Sequence, residues 1–150
     1  MQWDRSDNAG FTTTTPWLPV NTNYRAGVNV EDQSGDDVIS HLSVYKQLTS
    51  LRHSINMRDW SRTFLFSTQQ VFSVLRQVPD LDLIVVINVQ QQPTRVNLEQ
   101  LLSNIYSNQT SAEILIHSSG QDHVENPVGS VVDVHQLDLA GFESLVMKLL

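Results

Sequence analysis

Thr63-Phe64-Leu65-Phe66-Ser67, then Val71-Phe72-Ser73-Val74-Leu75-Arg76-Gln77, then Leu81-Asp82-Leu83-Ile84-Val85-Val86-Ile87-Asn88-Val89-Gln90 is the run whose reading decides the fold. Each piece is short and rich in β-branched and aromatic residues. Each is set off by polar or proline-containing residues such as Val78-Pro79-Asp80. That is the pattern of successive β-strands with tight connections. Towards the C-terminus, Ala112–His117, Ser130–His135 and Phe142–Leu149 read as further strands, with a Gly/Asn/Pro loop between Ser118 and Gly129. Between the two sets, the spacing of Leu98, Leu101, Leu102 and Ile105 in Asn97–Tyr106 suits a helix, and a polar hairpin accommodates it too. Residues 57–150 therefore read as an all-β antiparallel sandwich domain.

Upstream the pattern changes. Residues 34–53 read as an amphipathic helix with Val38, Leu42, Tyr45 and Leu48 along one stripe, widened by Ile39 and Leu51. Ser34 is the expected cap, Asp37 the capping-box acid, and Asp36 adds first-turn charge. Arg52 and His53 sit in the last turn, where cations are favoured. Residues 1–33 show neither a strand nor a helix period, yet carry Trp3, Phe11, Trp17, Leu18 and Tyr24. A loop of that length is uncommon unless functional, and its aromatics are expected to pack against something.

Composition narrows the class without naming a function. The chain has 150 residues, 40% hydrophobic and 17% charged, which excludes collagen-like, coiled-coil and disordered chains. Nine Lys and Arg face 16 Asp and Glu, for a net charge of -7. Nucleic acid is an unsuitable partner, because phosphate contacts need cations that are mostly absent. The chain contains no cysteine, which removes disulfides, thiol nucleophiles and Cys-based zinc sites. Leu81–Val89 is interrupted by Asp82 and Asn88 and is far shorter than the roughly 20 residues needed to span a bilayer. Residues 1–20 show no basic region followed by an apolar stretch, so no signal peptide is visible.

Motifs that carry chemistry are sparse. There is no Gly-rich phosphate loop, no Gly-x-Ser-x-Gly elbow and no His-Glu-x-x-His pair. His117-Ser118-Ser119-Gly120-Gln121-Asp122-His123 gathers Ser, His and Asp, but triad members normally come from distant segments, and these residue types also build ordinary polar turns. Asp36 and Asp37 are adjacent and cannot face each other as a catalytic pair. Asn108-Gln109-Thr110 is the single N-glycosylation sequon and makes Asn108 a glycosylation candidate.

The opening segment says more. Met1-Gln2-Trp3-Asp4, Asn8-Ala9-Gly10-Phe11, Pro16-Trp17-Leu18-Pro19-Val20-Asn21, Tyr24 and Val28-Asn29-Val30-Glu31-Asp32-Gln33 follow in order. This succession resembles the late part of the catalytic domain of glycoside hydrolase family 13 α-glucosidases (maltases), especially the insect type. The helix with Tyr45, Leu48, Leu51 and Arg52 continues the likeness. The strands down to Phe142-Glu143-Ser144-Leu145-Val146 resemble that family's C-terminal β-domain.

The resemblance implies a fold: the end of a (β/α)8 barrel, its last loop and helix, over residues 1–56, followed by the antiparallel β-domain over 57–150. It implies retaining hydrolysis of terminal α-1,4-linked glucose from maltose, sucrose or short oligosaccharides. The Asp nucleophile, the Glu acid/base and the stabilising Asp belong to earlier strands, so no catalytic residue is expected in this chain. Trp3, Asp4 and Phe11 correspond to the pocket rim, where loop packing is the competing role for Trp3 and Phe11. No cofactor is implied. The calcium held by some members binds through early barrel residues that have no counterpart here, so no metal is expected. Met1 is then expected to be the internal methionine of the motif in an incomplete sequence. Its partners would be the rest of the catalytic barrel and an α-glucoside, in a secreted or membrane-associated extracellular protein. Two rival readings remain: an ectodomain portion of a heteromeric amino-acid transporter heavy chain, which is non-enzymatic, and a stand-alone β-module that binds sugar or protein.

Overall fold

The computed structural model describes residues 1–35, 39–55, 62–78, 81–103, 105–106, 108–118 and 126–150. Two compact units emerge, Met1–Lys46 and Gln47–Leu150. The first contains two 3-10 turns, Asp7–Gly10 and Thr22–Ala26, the short helix α1 (Val30–Gln33) and the start of helix α2 (His41–Ser54). Ser34 does not cap α2. It ends α1, donating its N–H to the Glu31 carbonyl, and Asp36, Asp37 and Val38 lie outside the described residues. The cap of α2 is Ser40, whose Oγ accepts the Ser43 N–H at 3.0 Å while the Ser43 hydroxyl accepts the Ser40 N–H at 2.8 Å. Two serines thus do the reciprocal work of a capping box. No residue of α2 is buried: Tyr45 and Leu48 of the expected stripe are exposed.

The second unit is a six-stranded antiparallel sheet in the order β1-β2-β3-β8-β5-β6, with a two-stranded ribbon of β4 and β7. The strands are β1 (Arg62–Ser67), β2 (Val71–Val78), β3 (Leu81–Asn88), β4 (Thr94–Val96), β5 (Ser111–His117), β6 (Val131–Asp133), β7 (Leu137–Leu139) and β8 (Ser144–Leu149). Two rows of paired residues cross the inner face. Leu75, Ile84, Met147 and Ile114 form one, and Ser73, Val86, Leu145 and His117 the other. A bulge between Ile114 and Ile116 shifts β5 by one residue and so turns His117 inward, where it is buried. Opposite this face lie Val96, Leu98, Leu101, Leu102, Val134, Leu137 and Leu139, which complete one contiguous core with it. Asn97–Tyr106 resolves as one helical turn, α3 (Glu99–Leu102), with Asn97 Oδ1 accepting the Glu99 N–H at 2.7 Å. That turn presents Leu98, Leu101 and Leu102 to the core.

Asn88, at the end of β3, locks ribbon to sheet. Its Nδ2 donates to the carbonyls of Gln92 and Ala140, both at 2.8 Å, and its Oδ1 accepts the Gln90 N–H at 3.0 Å. Gly141 belongs to the same junction: a Cβ there would stand 1.9 Å from the Gln91 carbonyl oxygen, so only glycine fits. Asn88→Ala is expected to destabilise the chain by about 2–3 kcal/mol, since it orphans two carbonyls as well as deleting three bonds. Asn88→Asp is expected to do no better, because a carboxylate cannot donate. Equilibrium urea unfolding measures both.

Tyr106 reaches back to the sheet, donating to Asp82 and accepting from Gln77 Nε2 at 2.9 Å. Burial, and then the bond to Asp82, push its phenol up to about 12. The folded state therefore favours the neutral phenol. The resulting stability is complete below the unfolded value of about 10 and is lost as pH rises towards 12. A melting temperature that falls across this alkaline window in the wild type, and falls less in Tyr106→Phe, is the expected result.

Candidate functional site at the N-terminal loop

The loop around Trp3, Asp4 and Phe11 is held by its own polar groups. The Trp3 N–H donates to the Ala9 carbonyl at 2.8 Å and the Phe11 N–H to the Asn8 carbonyl at 3.0 Å, so residues 3–11 fold into one closed turn. Asn8, Ala9 and Gly10 are consecutive left-handed residues with φ of 57°, 56° and 64°. Left-handed backbone costs an L-residue roughly 1–2 kcal/mol, and Ala9, fully buried, has no side-chain hydrogen bond to offset it. Gly10 is required for a second reason: a Cβ there would lie 2.6 Å from Asp4 Oδ2. The Asp4 carboxylate occupies the space that a side chain at position 10 would need. Its Oδ1 accepts the Ser6 N–H at 2.8 Å and the Ser6 hydroxyl.

The chain entering this turn and helix α1 leaving the loop are tied together. The Gln2 and Trp3 carbonyls accept the Val30 and Glu31 N–H groups at 3.0 and 2.9 Å, and Asn29 Oδ1 accepts that of Asp32 at 2.8 Å. These donors have no partner inside a helix, and the loop supplies one for each. Asn29 is buried and its Nδ2 also donates to the Tyr24 carbonyl at 2.7 Å and to Asp32. Gln2 Nε2 spans to the Asn21 carbonyl and to Asn23 Oδ1. Arg5 Nε bonds both carboxylate oxygens of Asp32, at 2.9 and 2.8 Å. That bond holds the Asp32 carboxyl below its ordinary range against the opposing effect of burial, with the Asn29 bond adding to it.

The aromatics behave otherwise. Tyr24 is buried under the Arg25 guanidinium, but Trp3 is 49%, Phe11 51% and Trp17 85% exposed. The expected packing of the loop aromatics is met within this unit by Tyr24 alone of the aromatic rings; hydrogen bonds, not an aromatic core, order the backbone. The structure thus gathers Trp3, Asp4 and Phe11 onto one hydrogen-bonded turn and leaves both rings half exposed to solvent.

Elsewhere, Asn108 is exposed on a bend beside β5, with Gln109 anchoring the segment by donating to the Ser111 and Leu150 carbonyls. Asp122 and His123 lie outside the described residues. His117 is the buried end of β5, and its Nδ1 has no hydrogen-bond partner among the described residues. Among the described residues no three His, Asp or Glu side chains converge as a metal site. Sequence reasoning passed over one polar group: Arg95 on β4 forks onto both oxygens of Asp138 on β7, at 2.8 and 2.7 Å, and Glu143 is buried beside them. The Arg95 bond holds the Asp138 carboxyl below its ordinary range. The pair is 43 residues apart in the chain, which leaves no local signal.

Residues 1–59 match the model of the α-amylase catalytic domain. Over 99% of its length the chain is 31% identical to oligo-1,6-glucosidase of Parageobacillus thermoglucosidasius, covering 24% of that protein. It is 36% identical over 68% of its length to maltase 1 of Drosophila virilis, covering 16% of it. The amino acid transporter heavy chain SLC3A1 of Rattus norvegicus is 32% identical over 99% of the chain, which covers 21% of it. Among solved structures, trehalulose synthase from Pseudomonas mesoacidophila superposes with a TM-score of 0.74 at 31% identity, over 99% of this chain and 24% of that one. The chain thus spans about a quarter of the length of these full-chain matches. It belongs to the α-amylase family, glycoside hydrolase family 13.

Proposed function

We propose that this chain forms the loop after the eighth barrel strand and the last barrel helix (residues 1–56), with the appended β-domain (57–150), of a retaining α-glucosidase. Its substrates are maltose, sucrose or short oligosaccharides, from which it releases terminal non-reducing α-linked glucose, α-1,4-linked in maltose and the malto-oligosaccharides. One observation carries the reading. Residues 1–33 have a backbone closed by hydrogen bonds, yet leave Trp3, Phe11 and Trp17 exposed, and α2 buries no residue. Such a surface is ordered for something to cover it, and the remaining barrel is the cover that the family supplies. Trp3 and Phe11 then sit at the pocket rim, where sugar faces stack on aromatic rings, and Asp4 lies beside them. The nucleophile, acid/base and stabilising carboxylates come from earlier barrel strands. The enzyme works extracellularly, secreted or membrane-associated, and Asn108 carries glycan.

A second reading has the SLC3A1 likeness in its favour: a transporter heavy chain, with the same loop and no glucosidase activity. Sequence coding for the region before Met1 separates the two. Intact barrel carboxylates support the enzyme, while a transmembrane helix with substituted carboxylates supports the heavy chain.

The 150-residue chain alone is expected to hydrolyse no p-nitrophenyl α-glucoside, and turnover by rigorously purified chain overturns the assignment of catalysis to other segments. In the complete enzyme, Phe11→Ala is expected to raise KM for maltose with a smaller change in kcat, since stacking binds ground state and transition state alike. Gly10→Ala displaces Asp4 and is expected to lower kcat/KM by about tenfold or more, a misplacement effect. Wild-type kinetics in both variants would exclude this turn from the pocket.

A further inference from the structure

The ribbon of β4 and β7 and the turn into β8 border a cleft of about 430 Å³. Its lining combines apolar Pro93, Leu139 and Ala140 with polar Thr94, Arg95, Asp138 and Glu143. Glu143 is only 4% exposed. Its Oε2 accepts the Ala140 N–H at 2.7 Å, while Oε1 meets no donor among the described residues. That oxygen keeps some accessible surface and belongs to a residue that lines the cleft, so a donor entering the cleft can reach it. Arg95 commits Nε and Nη2 to Asp138, which leaves its Nη1 hydrogens without an acceptor among the described residues. Thr94 Oγ1 donates to Gln70 Oε1 at 3.2 Å and keeps lone pairs to accept with. On the same turn Phe142, 64% exposed, is held at φ 59°, a left-handed conformation unusual for a bulky residue.

These groups select a ligand class. An inorganic anion would meet two carboxylates, and a simple cation would meet the Arg95 guanidinium. A polyhydroxylated ring satisfies both sides, because each hydroxyl donates and accepts and the C–H face is apolar. The volume falls within the range of small-molecule clefts. We propose that this cleft binds one pyranose ring of a neutral α-glucoside, with a hydroxyl donating to Glu143 Oε1, a neighbouring oxygen accepting from Arg95 Nη1, and the ring face against Pro93 and Ala140. The gluco configuration rests on the α-glucosidase reading; the polyol chemistry does not.

The test is an amide NMR titration of the isotopically labelled full chain with methyl α-D-glucopyranoside, and in parallel with methylammonium and inorganic phosphate. Saturable shifts are expected at Thr94, Arg95 and Ala140–Glu143. Glu143→Gln, which can still accept the Ala140 N–H, and Arg95→Ala, at an exposed pair, are each expected to weaken binding by about tenfold, as loss of one charge-assisted hydrogen bond implies. The remaining amides should be unmoved. Should Glu143→Gln fail to fold, Arg95→Ala carries the test. The absence of saturable shifts at these residues, unchanged affinity in the folded variants, or response to methylammonium or phosphate in place of the sugar overturns the proposal. Sugar shifts confined to Trp3, Asp4 and Phe11 overturn it while leaving the α-glucosidase reading standing. Sugar binding in the cleft, with no hydrolysis by the complete protein, does the reverse.

Discussion

A buried amide holds the β-domain together. Asn88 is 1% exposed and spends its side chain on three backbone groups from two different connections. Those connections carry the chain from β3 to the ribbon and from the ribbon to β8. Without the amide, the Gln92 and Ala140 carbonyls lose the donor that ties them to the end of β3. The Asn88 N–H meanwhile donates to the Glu143 carbonyl at 2.9 Å, so backbone and side chain of one residue fix both ends of the ribbon. Gly141 permits the approach, and Glu143 closes the turn. The cleft exists because these constraints leave no alternative path for residues 140–143.

The N-terminal unit obeys a different logic. Its order is polar: reciprocal bonds among Gln2, Asn21, Asn23, Asn29 and Asp32 replace the apolar core that 46 residues are too few to build. That division explains why a loop with three left-handed residues in succession keeps its shape while its Trp and Phe rings face solvent. The ion pairs add little, because Arg5, Arg25 and Asp7 are all well exposed.

Much of the sheet was legible. Strands β1, β2, β3, β5 and β8 stand out because alternating or continuous apolar runs of six residues or more leave a clear signal. β4 and β7 do not: each is three residues long and lacks a valine cluster like Val131, Val132 and Val134, which marks the equally short β6 inside Ser130–His135. Phe142 reads as a strand residue by composition, yet the clash-free path past Gln91 forces it into a turn. The helix cap was misplaced because Ser34 and Asp37 match the capping pattern as well as Ser40 and Ser43 do, and local chemistry cannot rank them. The rim residues Trp3, Asp4 and Phe11 were visible only through the family motif. The Arg95, Asp138 and Glu143 group was invisible, since tertiary pairing alone unites it.

The order of strands has a consequence for how the domain is made. β8 is the last strand in the chain and lies inside the sheet, between β3 and β5, which pair with nothing between them until it arrives. The β1–β2–β3 meander and the β5–β6 pair are separate half-sheets with open apolar edges for as long as Ser144–Leu149 is unsynthesised. Nascent chains are thus exposed to edge-to-edge association on the ribosome, and a chaperone that shields strand edges would act most usefully on this domain just before its synthesis is complete.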